Sequence, residues 1–272
     1  MIDRPLFFIV LTVAGLWSTP AQTQDRQVPD SAASEPKWKA AARYDYDRVS
    51  GGRVDWQRWT AVLQRSIPGG TVAATLVRQR RFDTADEGIT VDLWQDLWAG
   101  AYGHLQVGFG PDAQIRPQYS LKAEIYQPVG PWELLGLYEG RRYTGSDVHQ
   151  FGAGLARYVG AWYIRARTTA APRKSTWAVS QRVGIRRFYY WTPSASYIDL
   201  EGGAGRSVEL VGPNASLLVA RTAFASLRVQ HFLTDGCALT ATLRYSDDGP
   251  LSRTGGALGI FCPVVKLVVE KP

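Results

Sequence analysis

The chain has 272 residues, with 31 Lys and Arg against 24 Asp and Glu, for a formal net charge of +7. The 10 Trp, 13 Tyr, 9 Phe and 27 Gly stand against a single Met, a balance of rings and turn residues that favours strands. The cations are spread singly, with no dense basic patch or nucleic-acid motif, which sets aside a nucleic-acid partner.

Residues 1–21 read as a cleaved secretory signal. Arg4 precedes an apolar run, Leu6–Trp17 (LFFIVLTVAGLW), and the small residues Thr19 and Ala21 mark a cleavage position near Ala21. That run is too short to cross a bilayer as a helix, which takes about 20 residues. Residues 22–37 are polar without an apolar period and read as a disordered periplasmic linker. Every later apolar run is broken by charge or Gly. An exported chain of this kind is periplasmic, secreted or an outer-membrane barrel.

From Trp38 onward the dominant period is two. Trp38, Ala40, Ala42, Tyr44 and Tyr46 alternate with Lys39, Ala41, Arg43, Asp45 and Asp47. Leu105, Val107 and Phe109 alternate with His104, Gln106 and Gly108. Tyr119, Leu121, Ala123 and Ile125 alternate with Ser120, Lys122, Glu124 and Tyr126, and Trp162, Ile164 and Ala166 with Tyr163, Arg165 and Arg167. One face is apolar and the other polar or small, which is the strand signal.

Turn chemistry cuts the chain at regular intervals. The breaks fall at Ser50-Gly51-Gly52, Pro68-Gly69-Gly70, Ala85–Gly88, Trp98–Gly100, Gly110-Pro111-Asp112, Val129-Gly130-Pro131 and Gly145-Ser146-Asp147. Further along they fall at Val159-Gly160, Ala171–Arg173, Thr192-Pro193, Gly212-Pro213-Asn214, Asp235-Gly236 and Asp248-Gly249-Pro250. The expected fold is all-β, a transmembrane antiparallel up-and-down barrel of about 12–14 strands over residues 38–262, with a tail at 263–272. Turns after even-numbered segments are short, while several after odd-numbered ones, such as Pro111–Arg116 and Ser207–Ala215, are longer. That asymmetry predicts periplasmic termini.

The aromatics sort to segment ends. Trp38, Trp98, Trp132, Trp162, Tyr190, Trp191, Phe232 and Phe261 mark the short-turn rim, and Tyr46, Phe82, Phe109, Tyr143 and Tyr245 the other. Two belts of this kind match the interfacial girdles of a membrane barrel. The run Phe188-Tyr189-Tyr190-Trp191 puts rings on both faces at one such end. Arg78, Arg157 and Arg221 are the charges on the apolar face, each near a segment end from which it can snorkel. Gln181 falls near a midpoint without explanation.

Cys237 and Cys262 are the only cysteines. Centring the last hairpin on Gly249-Pro250 sets them opposite each other, and pairs Leu239 with Ile260 and Thr240 with Gly259. Opposed Cα atoms lie ~4.5–5.5 Å apart, within disulfide reach. A structural disulfide is expected, the alternative being two free thiols facing lipid.

The inner face carries Asp92, His104, Lys122, Glu124, Arg165, Arg167, Arg182, Arg186, Asp199, Glu201 and Arg244, which are the lumen-lining candidates. Arg165/Arg167 and Arg182/Arg186 form a basic stripe beside the acidic Asp199/Glu201. The stripes either lock the barrel as a salt-bridged filling or set a field across an open lumen. None of His104, His149 and His231 has a Ser two residues away to serve as a nucleophile. Scattered histidines give no metal-ligand pattern, and no phosphate loop opens a helix, so neither metal nor cofactor is expected.

The chain resembles the YaiO-type outer-membrane β-barrel family in VSGGRVDWQRW (Val49–Trp59), RRFDTADEG (Arg80–Gly88), Pro117 leading into YSLKAEIYQP, and RRFYYWTPSASYIDLEGGAG (Arg186–Gly205). The resemblance covers about Trp38–Cys262 and implies an outer-membrane barrel with no assigned catalytic residues. The TGGALGIF run (Thr254–Phe261) resembles an internal barrel-assembly signal. The expected function is a non-enzymatic barrel, a narrow channel or the outer-membrane partner of an envelope polysaccharide or glycolipid export system. Its expected partners are membrane lipid or lipopolysaccharide and the barrel-assembly machinery. A lipid-modifying outer-membrane enzyme and a soluble, secreted carbohydrate-binding β protein are the alternatives.

Overall fold

The computed structural model describes residues 38–173, 176–190, 195–210, 217–234 and 236–264. The expected signal, linker and Trp191, the tail past Val264, and the turns at Thr192-Pro193 and Gly212–Asn214 lie outside these. The strands are β1 (Trp38–Val49), β2 (Trp56–Ile67), β3 (Gly70–Arg81), β4 (Thr84–Asp96), β5 (Tyr102–Phe109), β6 (Tyr119–Val129) and β7 (Trp132–Tyr143). They continue as β8 (Ser146–Val159), β9 (Trp162–Arg173), β10 (Thr176–Tyr190), β11 (Ala195–Leu210), β12 (Leu217–Phe232), β13 (Ala238–Asp247) and β14 (Ser252–Pro263). Each pairs antiparallel with the next, and β14 returns to β1, from Lys39 opposite Pro263 to Val49 opposite Arg253. Closure leaves no strand edge whose backbone groups would go unpaired in lipid.

The alternation decides what faces where. On β5, Leu105 and Val107 are exposed while His104 between its neighbours is 7% exposed. Leu76, Leu121, Val183, Leu200 and Leu258 stand on the outside, and Asp45, Asp47, Glu124 and Asp199 are buried inside. A soluble protein does the reverse, and a surface this apolar would aggregate in water. The soluble alternative falls here.

Three turns differ from expectation. The segment Ala85–Gly88 lies within β4, and the chain reverses at Phe82-Asp83, both with positive φ (51° and 60°). No Gly announces this turn. Phe82 is held in the left-handed region by packing edge-on against Trp56 at 5.2 Å. Because β4 starts early, Glu87 faces outward beside Arg78, its cross-strand neighbour, and pairs with it at 3.6 Å. The second difference is at Ser207–Ala215, where β11 runs on to Leu210 and shortens the expected loop. Ala171–Arg173, expected in a turn, also completes β9.

The rim at which β1 starts carries two-residue turns at 68–69, 130–131 and 160–161, with wider ones at 97–101 and 233–237. The opposite rim has equally tight reversals at 82–83 and 144–145. Among the described residues, its excess length resides in 50–55 and 110–118.

The belt at the β1-start rim has a chemical detail that ring positions alone do not show. Trp38, Trp132 and Trp162 each lie beside an outward Arg on the paired strand: Arg65 at 5.2 Å, Arg157 at 5.0 Å and Arg187 at 5.4 Å. Each guanidinium lies over an indole, a cation–π contact that keeps the charge at the strand end. Trp98 is also exposed; Tyr190, exposed at the end of β10, has the inward parity of Phe188 and Arg186 and does not belong to the outer face. Phe232 and Phe261 do not belong to the outer belt. They share the inward parity of Ala238, their partner on β13, and Lys39 lies over the Phe261 ring. At the other rim Phe82 and Tyr143 also turn inward, Tyr143 onto the Val148, Ala171, Ala178 and Val208 cluster. Strand-end position does not distinguish inward from outward; parity does. Within the aromatic run, Tyr189 packs against the outward His231 and Phe188 against the inward Tyr158.

The Cys237–Cys262 disulfide forms, with Cα atoms 4.2 Å apart, and the register pairs Leu239 with Ile260 and Thr240 with Gly259. It closes a loop of sequence separation 25. Restricting the unfolded chain over such a loop is worth about 3 kcal/mol. Cys237→Ser with Cys262→Ser is expected to lower unfolding stability by that amount, read as an earlier urea midpoint with an unchanged slope.

Candidate functional site

The inner face is built from cations that reach across a neighbouring strand. Arg165 on β9 lies opposite Gly184 on β10, which lies opposite Glu201 on β11. Its Nη2 donates to Asp199 at 3.0 Å and to Glu201 at 2.7 Å. A Cβ on Gly184 would meet the Arg165 guanidinium at 2.6 Å, so the glycine is the bed on which the arginine lies. The same device recurs at the barrel seam. Arg244 on β13 crosses Gly255 on β14 to reach Asp47 on β1 at 2.7 Å, and its Nη1 donates to Asp45 at 2.6 Å. Neighbouring strands are ~4.8 Å apart, so only a long side chain over a residue without Cβ can span two of them.

The sequence-derived candidates fall into three networks. Glu124 on β6 gathers Lys122 at 3.0 Å, Arg167 at 3.1 Å and His104 Nδ1 at 3.0 Å, and His104 Nε2 meets Asp92 at 2.9 Å. Asp199 and Glu201 gather Arg165, Arg186 at 2.7 Å and Arg182 at 3.2 Å. Arg244 stands apart from both, with Asp45, Asp47 and Arg43. Those last three, on β1, were visible in its alternation but were not counted as lumen residues. Each His104 ring nitrogen faces a carboxylate oxygen and Trp94 stacks on its face at 4.0 Å, so neither nitrogen is left to activate a nucleophile. Among the described residues no group of three or more His, Cys, Asp or Glu could hold a metal ion.

These networks divide the lumen into unlike halves. Around β1–β4 and β13 the interior is filled: Asp45, Asp47, Trp56, Arg58, Gln79, Arg81 and Arg244 enclose a gap of only about 10 Å³. Trp56 is 5% exposed, with Arg81 at 4.3 Å and Arg253 at 4.6 Å over its ring. The loop 110–118 closes this side. The inward Asp86 carboxylate accepts from the backbone N–H groups of Gln114, Ile115 and Arg116 at 2.7–3.1 Å. Ala113 and Ile115 are buried behind that bond, and Arg116 lies against Gly88. Burial first, and then the charge of Arg58, hold the Arg116 guanidinium below its ordinary value.

The other side, reached by β5–β12 and the end of β4, is open. It holds a cavity of about 340 Å³ lined in part by Lys122, Arg141, Arg167, Arg182, Arg206 and Phe224. A second, of about 450 Å³, is lined in part by Trp94, Tyr102, Tyr126, Glu133, Tyr163, Arg165 and Arg186. Arg167 and Arg182 line both. Seven cations line the two cavities against the three carboxylates of Glu133, Glu139 and Glu201. The sequence reading missed Trp94, Tyr102, Tyr126, Glu133, Tyr163, Arg141 and Arg206. For most of them the same period-two parity carried the signal.

A family model described as the YaiO membrane beta barrel domain matches residues 37–210, more than half of the chain. The chain belongs to the YaiO membrane β-barrel family. The match runs from β1 through β11, and β12–β14 complete the YaiO barrel beyond it. Among curated proteins none matches. Among solved structures, a bacterial polysaccharide outer membrane secretin is similar at TM-score 0.51 and 9% identity, over 85% of this chain and 99% of that one. An anion-selective porin from Comamonas acidovorans is similar at 0.45 and 8%, over 83% and 98%. The translocator domain of the autotransporter NalP from Neisseria meningitidis is similar at 0.41 and 14%, over 86% and 90%. At such identities the likeness of the YaiO barrel to the secretin is one of fold.

Proposed function

We propose that this YaiO barrel is a non-enzymatic outer-membrane protein whose open half-lumen is a narrow passage for anionic solutes. It serves as a channel or as the outer-membrane partner of an envelope polysaccharide or glycolipid export system. The observation that carries this reading is the cationic lining of the two cavities, which share Arg167 and Arg182. In a low-dielectric wall, an excess of one charge focuses the field and concentrates counter-ions. The termini and the Arg–Trp belt face the periplasm in this reading, and the loops 50–55 and 110–118 face outward. A signal over residues 1–21 delivers the chain and is removed, and residues 22–37 form a periplasmic linker. Lipid or lipopolysaccharide surrounds the barrel, which the assembly machinery inserts. The occupied nitrogens of His104 speak against the lipid-modifying enzyme.

The test is the reversal potential of the full chain in planar bilayers under a potassium chloride gradient. Chloride is expected to permeate severalfold faster than potassium, with the ratio moving toward unity in Arg182→Gln. Cation preference, or no current at all, overturns the passage.

A further inference from the structure

The larger cavity has an end unlike the rest of the lumen. Toward the rim with the 97–101, 130–131 and 160–161 turns it is walled by rings. Tyr102 and Tyr126 stack at 4.6 Å with planes 6° apart, and Trp94 lies beside Tyr126 at 6.1 Å. Between the rings sits one carboxylate, Glu133, 8% exposed, which accepts from the Tyr102 hydroxyl at 2.8 Å and the Tyr163 hydroxyl at 2.8 Å. The same cavity is also lined by Arg165, Arg182 and Arg186, with Arg165 two strands from Glu133 across Ala156. Arg165 has a spare donor: its Nη1 is buried and has no hydrogen-bond acceptor among the described residues. Arg182 is half-exposed, with one ion pair at 3.2 Å to Glu201.

We propose that this cavity is a binding subsite for an acidic saccharide, a chain of hydroxyl-rich rings bearing spaced carboxylates. The assignment rests on the passage reading for how the sugar arrives, but the subsite is a binding claim that can be measured without ion flow. Three features select the ligand. Aromatic walls offer flat apolar surfaces to the C–H faces of pyranose rings. Glu133 already receives two tyrosine hydroxyls and retains lone pairs for a third donor, so it welcomes sugar hydroxyls. The same carboxylate repels a compact anion such as inorganic phosphate, which also has no face to stack. The ligand's charge must therefore lie away from Glu133, and the guanidinium groups of Arg165 and Arg182 await it there as charge-assisted donors.

The experiment is titration calorimetry of the full chain in detergent, with a galacturonic acid hexamer, a neutral maltohexaose and inorganic phosphate as the three probes. The acidic hexamer is expected to bind at least tenfold more tightly than either of the others. Tyr126→Leu weakens the acidic hexamer about tenfold, and Arg182→Gln weakens it severalfold while leaving maltohexaose unchanged. Retained heat-modifiable gel mobility shows that each variant is folded. Equal binding of the acidic and neutral hexamers, tighter phosphate binding, or no binding by the folded wild type overturns the subsite. Chloride selectivity without hexamer binding leaves the passage standing and removes only this proposal. Hexamer binding without current does the opposite.

Discussion

Asp199→Ala is expected to lower the unfolding free energy by about 3–5 kcal/mol, the cost of stranding buried charge when one partner of an ion pair is removed. Asp199 is 5% exposed and accepts from both Arg165 and Arg186. Its removal leaves Arg186 without that ion pair and Arg165 with Glu201 alone. Equilibrium unfolding in urea, with the barrel in lipid vesicles, reads the loss. The comparison is Arg182→Gln, which removes a half-exposed partner and is expected to cost at most about 1 kcal/mol. If the two variants unfold together, the network is not a structural staple, and the inner face is only a solvated lining.

The second large effect is expected at Asp86. Its carboxylate accepts from three consecutive backbone N–H groups of the 110–118 loop and is itself 4% exposed. Hydrogen bonds to a charged acceptor are worth about 1.5–3 kcal/mol each, and a loop at a lumen mouth recovers part of that from water. Asp86→Ala is expected to cost about 3 kcal/mol locally and to free the loop. Hydrogen exchange at the Gln114, Ile115 and Arg116 amides is then expected to accelerate about 100-fold. Single-channel conductance is expected to stay unchanged in the same variant, since the loop covers the filled half of the lumen and lines neither cavity. Unchanged exchange would show that Ala113 and Ile115, both 4% exposed, hold the loop through packing alone.

Several elements were legible in the sequence because a barrel strand has a fixed period and its two faces meet opposite solvents. Alternation in Tyr119–Tyr126 places Lys122 and Glu124 inside and Leu121 and Ile125 outside, with no tertiary information required. Hairpin symmetry about Gly249-Pro250 sets Cys237 against Cys262. Turns built on Gly at positive φ, such as Gly69, Gly130 and Gly160, were equally readable. The turn at Phe82-Asp83 was not, since its left-handed residues are stabilised by Trp56, which precedes them on another strand. Phe232 and Phe261 were misplaced because a ring at a strand end satisfies an interfacial belt or a lumen mouth equally well.

The sequence by itself determined the strand count within its range, the closed meander, the disulfide and the faces of most strands, all consequences of local period and turn chemistry. The tertiary structure decided which charges meet. Arg244 and Asp47 are brought together only by closure of β14 on β1, and Arg167 reaches Glu124 only across β8 and β7. It also decided that one half of the lumen is filled and the other open. That outcome depends on glycines lying under arginines two strands from their partners, and on a loop drawn in by a carboxylate on another strand. Neither relation leaves a period in the sequence.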